Sequence, residues 1–256
     1  MPDNVSVLSV KKEYHIKQFL QRTSGAMAPL GVLAFWCGVL LAAQQYPSEY
    51  DWRYMSVSKL ASPERNPAGY LWSSAGIVLC GLCGLWWMAV LARWDLKSVG
   101  DRLRGIRALQ FGYFSMMCAV VLPKWLLRIE KGHEILAALA FVGLLIGMVR
   151  LMFQTAERTF LRRMRGLGGH ARLYAFIAAS VAIFPIVLAG LAQAYFYYVP
   201  SEFHWVTFSW SVRGWPVFLR FPFWEWVTCV VLSAYMVILS LVTHVVYPKR
   251  KDGERT

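Results

Sequence analysis

Residues 68–92 read AGYLWSSAGIVLCGLCGLWWMAVLA, a run of 25 positions without a charged side chain. An α-helix rises about 1.5 Å per residue, so roughly 20 residues cross the hydrocarbon core of a bilayer, which is about 30 Å thick. A stretch this long and this apolar is typical of a transmembrane helix. It predicts that this part of the chain is surrounded by lipid.

Five further stretches of the 256-residue chain have the same character. The six predicted spans are 26–46, 68–92, 106–127, 134–153, 173–198 and 223–247. All connections but the fifth are short, and no stretch has the composition of a separate soluble domain. The sequence therefore predicts an all-α integral membrane protein, a six-transmembrane-helix bundle that forms a single membrane domain over residues 1–256.

The distribution of charge predicts the orientation of the bundle. Hydrophobic residues make up 57% of the chain and charged residues only 16%. Of the 27 lysine and arginine residues, 19 fall on the side that would hold both termini. The positive-inside rule then places both termini in the cytoplasm, in a multi-pass protein of the cell membrane (the bacterial inner membrane or its equivalent). Topology and anionic head groups on the cytoplasmic side explain the basic excess, so we expect no nucleic-acid partner.

The fifth connection, residues 199–222, is rich in aromatic side chains and lies on the predicted outer side. Within it Val206, Phe208 and Trp210 alternate with polar residues, a period of two that is typical of a half-buried strand. This pattern predicts a short hairpin or lid over the outer mouth of the bundle. A loop that dips its aromatic side chains into the lipid head groups is the alternative.

The first connection brings a second group of polar residues to the same side. Ser58, Lys59, Arg65 and Asn66 lie there, just before the second span. A helix that begins at the outer surface presents free N–H groups, which suit an anionic group such as phosphate, and the two cations would add charge. Ordinary helix capping beside a solvated loop is the alternative interpretation.

Ionisable residues at the outer ends of the later spans complete a possible polar pocket. His133 opens the fourth span and Glu225 opens the sixth. Charged groups at membrane depth are costly and tend to mark function. A histidine beside a carboxylate can transfer protons or simply form a hydrogen bond, so this pair is the candidate acid–base or hydrogen-bonding pair. The expected ligand-binding residues around it are Ser58, Lys59, Arg65, Asn66, Lys124, Arg128, Glu134, His204 and Trp224.

Three segments of the chain resemble a known family of six-span proteins. They are residues 56–69, the Gly132-His133-Glu134 segment followed by Ala137, Ala138 and Phe141, and the Phe223-Trp224-Glu225-Trp226 segment. They look like the first outer loop, the fourth span and the last span of the Frag/DRAM/Sfk group and its bacterial relatives of unknown function. The resemblance implies six helices with cytoplasmic termini. Eukaryotic members are linked to lipid remodelling of GPI anchors, to autophagy and to phospholipid organisation.

The leading functional prediction is the handling of a lipid or amphiphile at the outer leaflet, through an outward-facing polar and aromatic cavity. A different class of function is a non-catalytic subunit or scaffold of a larger membrane complex, or a homo-oligomer. Gly143 and Gly147, a GxxxG step, would then serve as contact surfaces between chains rather than inside one.

A small haem or metal redox protein is the third possibility, with histidine pairs or a zinc site of His133, Glu134 and His204. Because no span carries two histidines, the sequence predicts no cofactor and no metal. Cys80 and Cys83 form a CxxC pair, but they lie in the middle of an apolar span, where they are expected to be core residues.

Overall fold

The computed structural model describes residues 4–94, 101–122, 132–163 and 221–246, together with the isolated positions 180, 184, 187, 188, 191 and 217. The long described segments contain six helices, which are α1 (Asn4–Gln44), α2 (Val57–Leu60), α3 (Tyr70–Trp94), α4 (Asp101–Val121), α5 (Gly132–Arg163) and α6 (Phe221–Val246). They contain no strand. The predicted span 173–198 lies outside the described residues except for five isolated helical positions. The predicted hairpin or lid in 199–222 lies outside them except for positions 217, 221 and 222.

Three of the helices are long and apolar enough to cross a membrane. Their crossing segments are Gly25–Gln44 in α1, Tyr70–Ala92 in α3 and Pro222–Leu241 in α6. Helix α4 begins with Asp101 and several arginines, and the apolar part of α5 is the shorter segment Ile135–Leu151. The described part of the chain is therefore helical and includes three segments that can cross a membrane, which confirms the prediction of a helical membrane protein at this level.

The surface of the helices is apolar where that of a soluble protein would be polar. Leu33 is 59% exposed, Leu71 63% and Phe114 59%, and similar side chains are exposed along every long helix. A soluble monomer rarely exposes contiguous apolar patches larger than a few hundred Å². A surface of this kind is stable when hydrocarbon chains cover it, which agrees with the membrane class.

The five long helices form a closed ring in which each packs against two neighbours. Helix α1 packs along α3, α3 along α4 and α4 along α5, and α6 closes the ring through contacts with both α5 and α1. The short helix α2 contacts α1 and α6. The ring leaves a central space, and α2 lies at the end where residues 45–69 connect α1 to α3. We call this the loop end of the bundle.

Two of the helix pairs approach each other closely at glycines. A Cβ on Gly38 of α1 would lie 2.9 Å from the Cα of Gly76 on α3, and one on Gly143 of α5 would lie 2.9 Å from the Cα of Gly112 on α4. Small residues permit such contact, and in lipid close packing is a main source of helix association. The GxxxG step of Gly143 and Gly147 thus serves packing inside the chain, because Gly147 faces α4 as well.

Contacts along the ring also give the direction of each helix. Gly31 of α1 lies against Cys83 of α3, whereas Gly38, further along α1, lies against the earlier residue Gly76, so these two helices are antiparallel. Ser240 of α6 donates a hydrogen bond to the carbonyl of Gly25 at 3.1 Å, whereas Trp36, further along α1, donates to the earlier residue Ser233, so α6 also runs against α1. Gly105 of α4 lies against Arg150 of α5 and Gly112 lies against Leu144, which makes this pair antiparallel too.

Candidate functional site

The ring encloses a cavity of about 110 Å³ whose walls come from all five long helices and from α2. Its lining at the loop end includes Val57, Ser58, His133 and Glu225. Along α6 the lining continues from Glu225 to Met236, and eleven residues of helix correspond to about 16 Å. The cavity is therefore elongated along the bundle axis.

The two ends of this cavity differ in polarity. The imidazole of His133, the carboxylate of Glu225 and the hydroxyl of Ser58 lie at the loop end. The deeper walls are mostly apolar, with side chains such as Leu144 and Met236. The cavity therefore has a few polar side chains at its loop end and apolar walls along the rest of its length.

Glu225 of α6 forms contacts with the connection between α1 and α3. Its side chain is 7% exposed, and its Oε2 atom accepts a hydrogen bond from the backbone N–H of Val57 at 3.2 Å. The backbone N–H of Ser58 faces the same carboxylate. The first turn of a helix has N–H groups without intrahelical partners, and Ser56, which precedes α2, makes no side-chain cap. Glu225 satisfies these donors from a distant part of the chain.

Aromatic residues strengthen the same junction. Trp226 donates from Nε1 to the carbonyl of Met55 at 2.9 Å. The phenol of Tyr50 points at the carbonyls of Met55 and Ser56, each at 2.9 Å. Burial raises the pKa of the Tyr50 phenol well above its ordinary value, so the group stays protonated and can donate. The rings of Tyr50 and Trp226 also meet edge to face, with centroids 6.1 Å apart.

One ring nitrogen of His133 forms a hydrogen bond within the chain, and the other remains available to a ligand. Its Nδ1 atom lies 2.7 Å from the carbonyl oxygen of Ala119 on α4. A carbonyl only accepts, so Nδ1 carries a proton and donates it to this hydrogen bond. His133 and Glu225 line the same cavity, as the sequence led us to expect, although no hydrogen bond joins them in the part of the chain that the structure describes.

Other predicted ligand-binding residues lie elsewhere. Asn66 is fully buried, and its amide is used within the chain: Nδ2 donates to the carbonyls of Ala42 and Leu60, and Oδ1 accepts from the N–H of Gly69. This network fixes the turn into α3.

The two cations predicted in the first connection are not part of the cavity lining. Lys59 is half-buried and Arg65 is exposed. Trp224 is half-buried and meets the ring of Phe223, also outside the lining. Lys124, Arg128 and His204 lie outside the described residues, as does the side chain of Glu134.

Several residues of the cavity could not be identified from the sequence. Tyr113 of α4 is fully buried in its wall, and its phenol oxygen has no hydrogen-bond partner. Cys80 and Cys229 line it as free thiols. These residues lie inside apolar runs. Whether such a residue faces the cavity or the lipid depends on its angular position around the helix axis, which an apolar run does not specify. No group of three metal-ligating side chains occurs among the described residues.

No family model, no curated protein and no solved structure matches this chain.

Proposed function

We propose that this protein spans the membrane six times and binds a lipid or amphiphile in the cavity between its helices. The observation that carries the proposal is the cavity itself, which has an apolar wall and a polar loop end. A lipid-binding site needs that combination, because the tail requires apolar surface and the head group requires hydrogen-bonding partners.

The direction of the described helices supports the count of six. Helices α3 and α6 run antiparallel to α1, while α4 runs antiparallel to both α3 and α5. Helices α5 and α6 are therefore parallel, and each begins at the loop end. A chain that leaves α5 at the far end and enters α6 at the loop end has to cross between them, which agrees with the apolar stretch at 173–198.

The charge distribution supports the orientation. The far end of the bundle receives the basic segments that follow α3 and α5 and that end the chain, so we place it in the cytoplasm and the loop end at the outer surface. His133 and Glu225 then lie near the outer leaflet. We assign His133 to the head group of the ligand, and we assign Glu225 both to the head group and to the positioning of α2.

The matched pair Ala137 and Ala138 tests whether the cavity holds a lipid. Ala137 lines the cavity, whereas Ala138 is exposed on the outer face of the same helix. Phenylalanine at either position changes helix propensity equally, but only Ala137→Phe fills the cavity. The protein is purified gently, and native mass spectrometry measures the lipid that remains bound.

We expect a lipid bound in equal stoichiometry to the parent protein and to Ala138→Phe, and its loss from Ala137→Phe. Retention of the same lipid by both variants contradicts the proposal. A stoichiometric protein partner in place of the lipid would instead support the scaffold function.

A further inference from the structure

The cavity is smaller than the ligand that we propose for it. Its volume is about 110 Å³. A water molecule occupies about 30 Å³ in the liquid and a methylene group is of similar size, so the cavity holds about four such groups. An alkyl chain that followed the cavity over its length of about 16 Å would contain more carbon atoms than this volume admits. A wall of the cavity therefore has to move before a lipid chain fits.

The long helices are poorly suited to that movement. Helices α1 and α3 meet at backbone atoms of glycines, and so do α4 and α5. Separation of either pair would lose the close packing that holds helices together in lipid. Helix α6 is joined to α1 inside the bundle, where Trp36 donates from Nε1 to the hydroxyl of Ser233 at 3.1 Å.

Helix α2 is a part of the wall that can move without the separation of two long helices. It has only four residues, Val57–Leu60, and the connection of residues 45–69 leads into it and away from it. Val57 and Ser58 line the loop end of the cavity. Displacement of α2 would therefore enlarge the cavity and open it at that end.

The start of α2 is held to α6 by three side chains. Glu225 accepts from the N–H of Val57 at 3.2 Å, and Trp226 donates to the carbonyl of Met55 at 2.9 Å. Tyr50 donates to the same carbonyl, and its ring lies against that of Trp226. We call Tyr50, Glu225 and Trp226 the latch. All three of its contacts are hydrogen bonds, which can break and form again at a modest cost in free energy.

The end of α2 is held by a different residue and to a different part of the bundle. Asn66 donates from Nδ2 to the carbonyl of Leu60 at 3.2 Å and to that of Ala42 on α1 at 3.0 Å. Its Oδ1 atom accepts from the N–H of Gly69, just before α3. Asn66 thus ties the end of α2 to the closely packed pair of α1 and α3, and it can serve as a hinge.

From these contacts we infer that α2 is a lid over the loop end of the cavity. The structure shows the lid closed, and a bound lipid chain holds α2 away from the latch while Asn66 keeps its far end in place. A ligand that fits only the open form shifts the population towards that form. The inference rests on the proposed function and adds the route by which the lipid enters.

The reactivity of a cysteine on α2 measures the opening of the lid. Val57 is 6% exposed, so a thiol at this position reacts with a water-soluble maleimide only when α2 moves. Val57→Cys is introduced into the full-length chain in nanodiscs, together with Ala137→Phe or with Ala138→Phe. Peptide mass analysis separates its labelling from that of the five native cysteines. Ser58→Cys is a second reporter on the same helix.

We expect Val57→Cys to react about tenfold faster together with Ala138→Phe, which retains the lipid, than together with Ala137→Phe, which excludes it. In the lipid-free Ala137→Phe protein, Tyr50→Phe should accelerate the labelling by about tenfold, because it weakens the latch. Gly112→Ala, at the interface of α4 and α5, is the control for general destabilisation and should leave the labelling rate unchanged.

The remaining outcomes separate the lid from the lipid site. Equal labelling rates beside Ala137→Phe and Ala138→Phe, with lipid retained only by the latter, overturn the lid and leave the lipid site intact. An acceleration by Gly112→Ala as large as that by Tyr50→Phe also overturns the lid, since α2 would then open through general loosening. If native mass spectrometry finds no lipid on the parent protein, the proposed function fails, and the lid fails with it.

Discussion

The phenol groups of Tyr113 and Tyr50 differ in whether they have a hydrogen-bond partner. The hydroxyl of Tyr113 is fully buried without a partner, whereas that of Tyr50 faces two carbonyl groups of the first connection. A buried donor without an acceptor costs free energy, and a satisfied one contributes. Removal of the phenol oxygen should therefore change the free energy of unfolding in opposite directions at the two positions.

We expect Tyr113→Phe to raise the free energy of unfolding by about 1 kcal/mol and Tyr50→Phe to lower it by about 1–2 kcal/mol. Thermal unfolding of both variants in the same detergent measures the difference. If Tyr113→Phe is destabilising, the phenol has a partner, and lipid analysis of the variant would show whether that partner is the bound ligand.

Glu225 is the residue through which the last helix positions the first connection. Replacement by leucine keeps most of the volume of the side chain but leaves the buried N–H groups of Val57 and Ser58 without an acceptor. We expect Glu225→Leu to lower the free energy of unfolding by about 1–3 kcal/mol. Glu49→Leu, at an exposed position of the same connection, is the control and should change stability little. Equal effects of the two substitutions would show that Glu225 does not stabilise α2.

At the scale of the helices, the sequence located apolar runs more accurately than helix ends. Predicted span 68–92 agrees closely with α3 (Tyr70–Trp94), and span 223–247 with α6. Helix α1, with 41 residues, and α5, with 32, extend well beyond spans 26–46 and 134–153. Hydropathy marks where a helix enters water, whereas backbone hydrogen bonds continue through charged residues that are good helix formers.

The candidate site was predictable to a similar extent. His133 and Glu225 were identifiable because ionisable groups are rare near apolar spans. The positions of Lys59, Arg65 and Asn66 were not, because they depend on the backbone path through the four-residue helix α2 and its connection. The orphan phenol of Tyr113 depends on helix rotation, which a nearly uniform apolar sequence does not specify.

Glycine substitutions at the interface of α4 and α5 test the close packing. A Cβ on Gly112 would lie 2.6 Å from the backbone nitrogen of Leu144, whereas one on Gly105 would lie 3.2 Å from the Cβ of Arg150. Alanine favours helix by about 1 kcal/mol over glycine. We expect Gly112→Ala to destabilise the protein by about 1–3 kcal/mol in spite of this gain. The added Cβ would meet the backbone of α5, which cannot move aside locally as a side chain can.

Gly105→Ala is the internal comparison for this prediction, because a side chain can move aside. It should be clearly milder than Gly112→Ala in the same thermal unfolding measurement. Equal effects, or stabilisation by both substitutions, would mean that α4 and α5 are not as closely packed as described.

At the scale of the whole molecule, the proposed orientation places the loop end outside the cell. Ser48 is exposed in the first connection, and Lys251 follows α6 in the sequence. We expect a membrane-impermeant maleimide to label Ser48→Cys in intact cells and to label Lys251→Cys only after permeabilisation. The five native cysteines require the parent chain as a control. Labelling of both positions from the same side of the membrane would contradict the helix directions, and labelling of Lys251→Cys but not of Ser48→Cys in intact cells would reverse the orientation.

The order of synthesis gives the contacts of α6 a consequence for biogenesis. Trp226 and Glu225 bond to residues 55 and 57, and Trp36 donates to Ser233, so residues that are synthesised early form these contacts only after the later helix α6 has been made. Until then the nascent chain has an open-sided ring with an unsealed interior. Premature termination before residue 221 would leave that interior exposed to the bilayer, a defect that membrane quality-control proteases can detect.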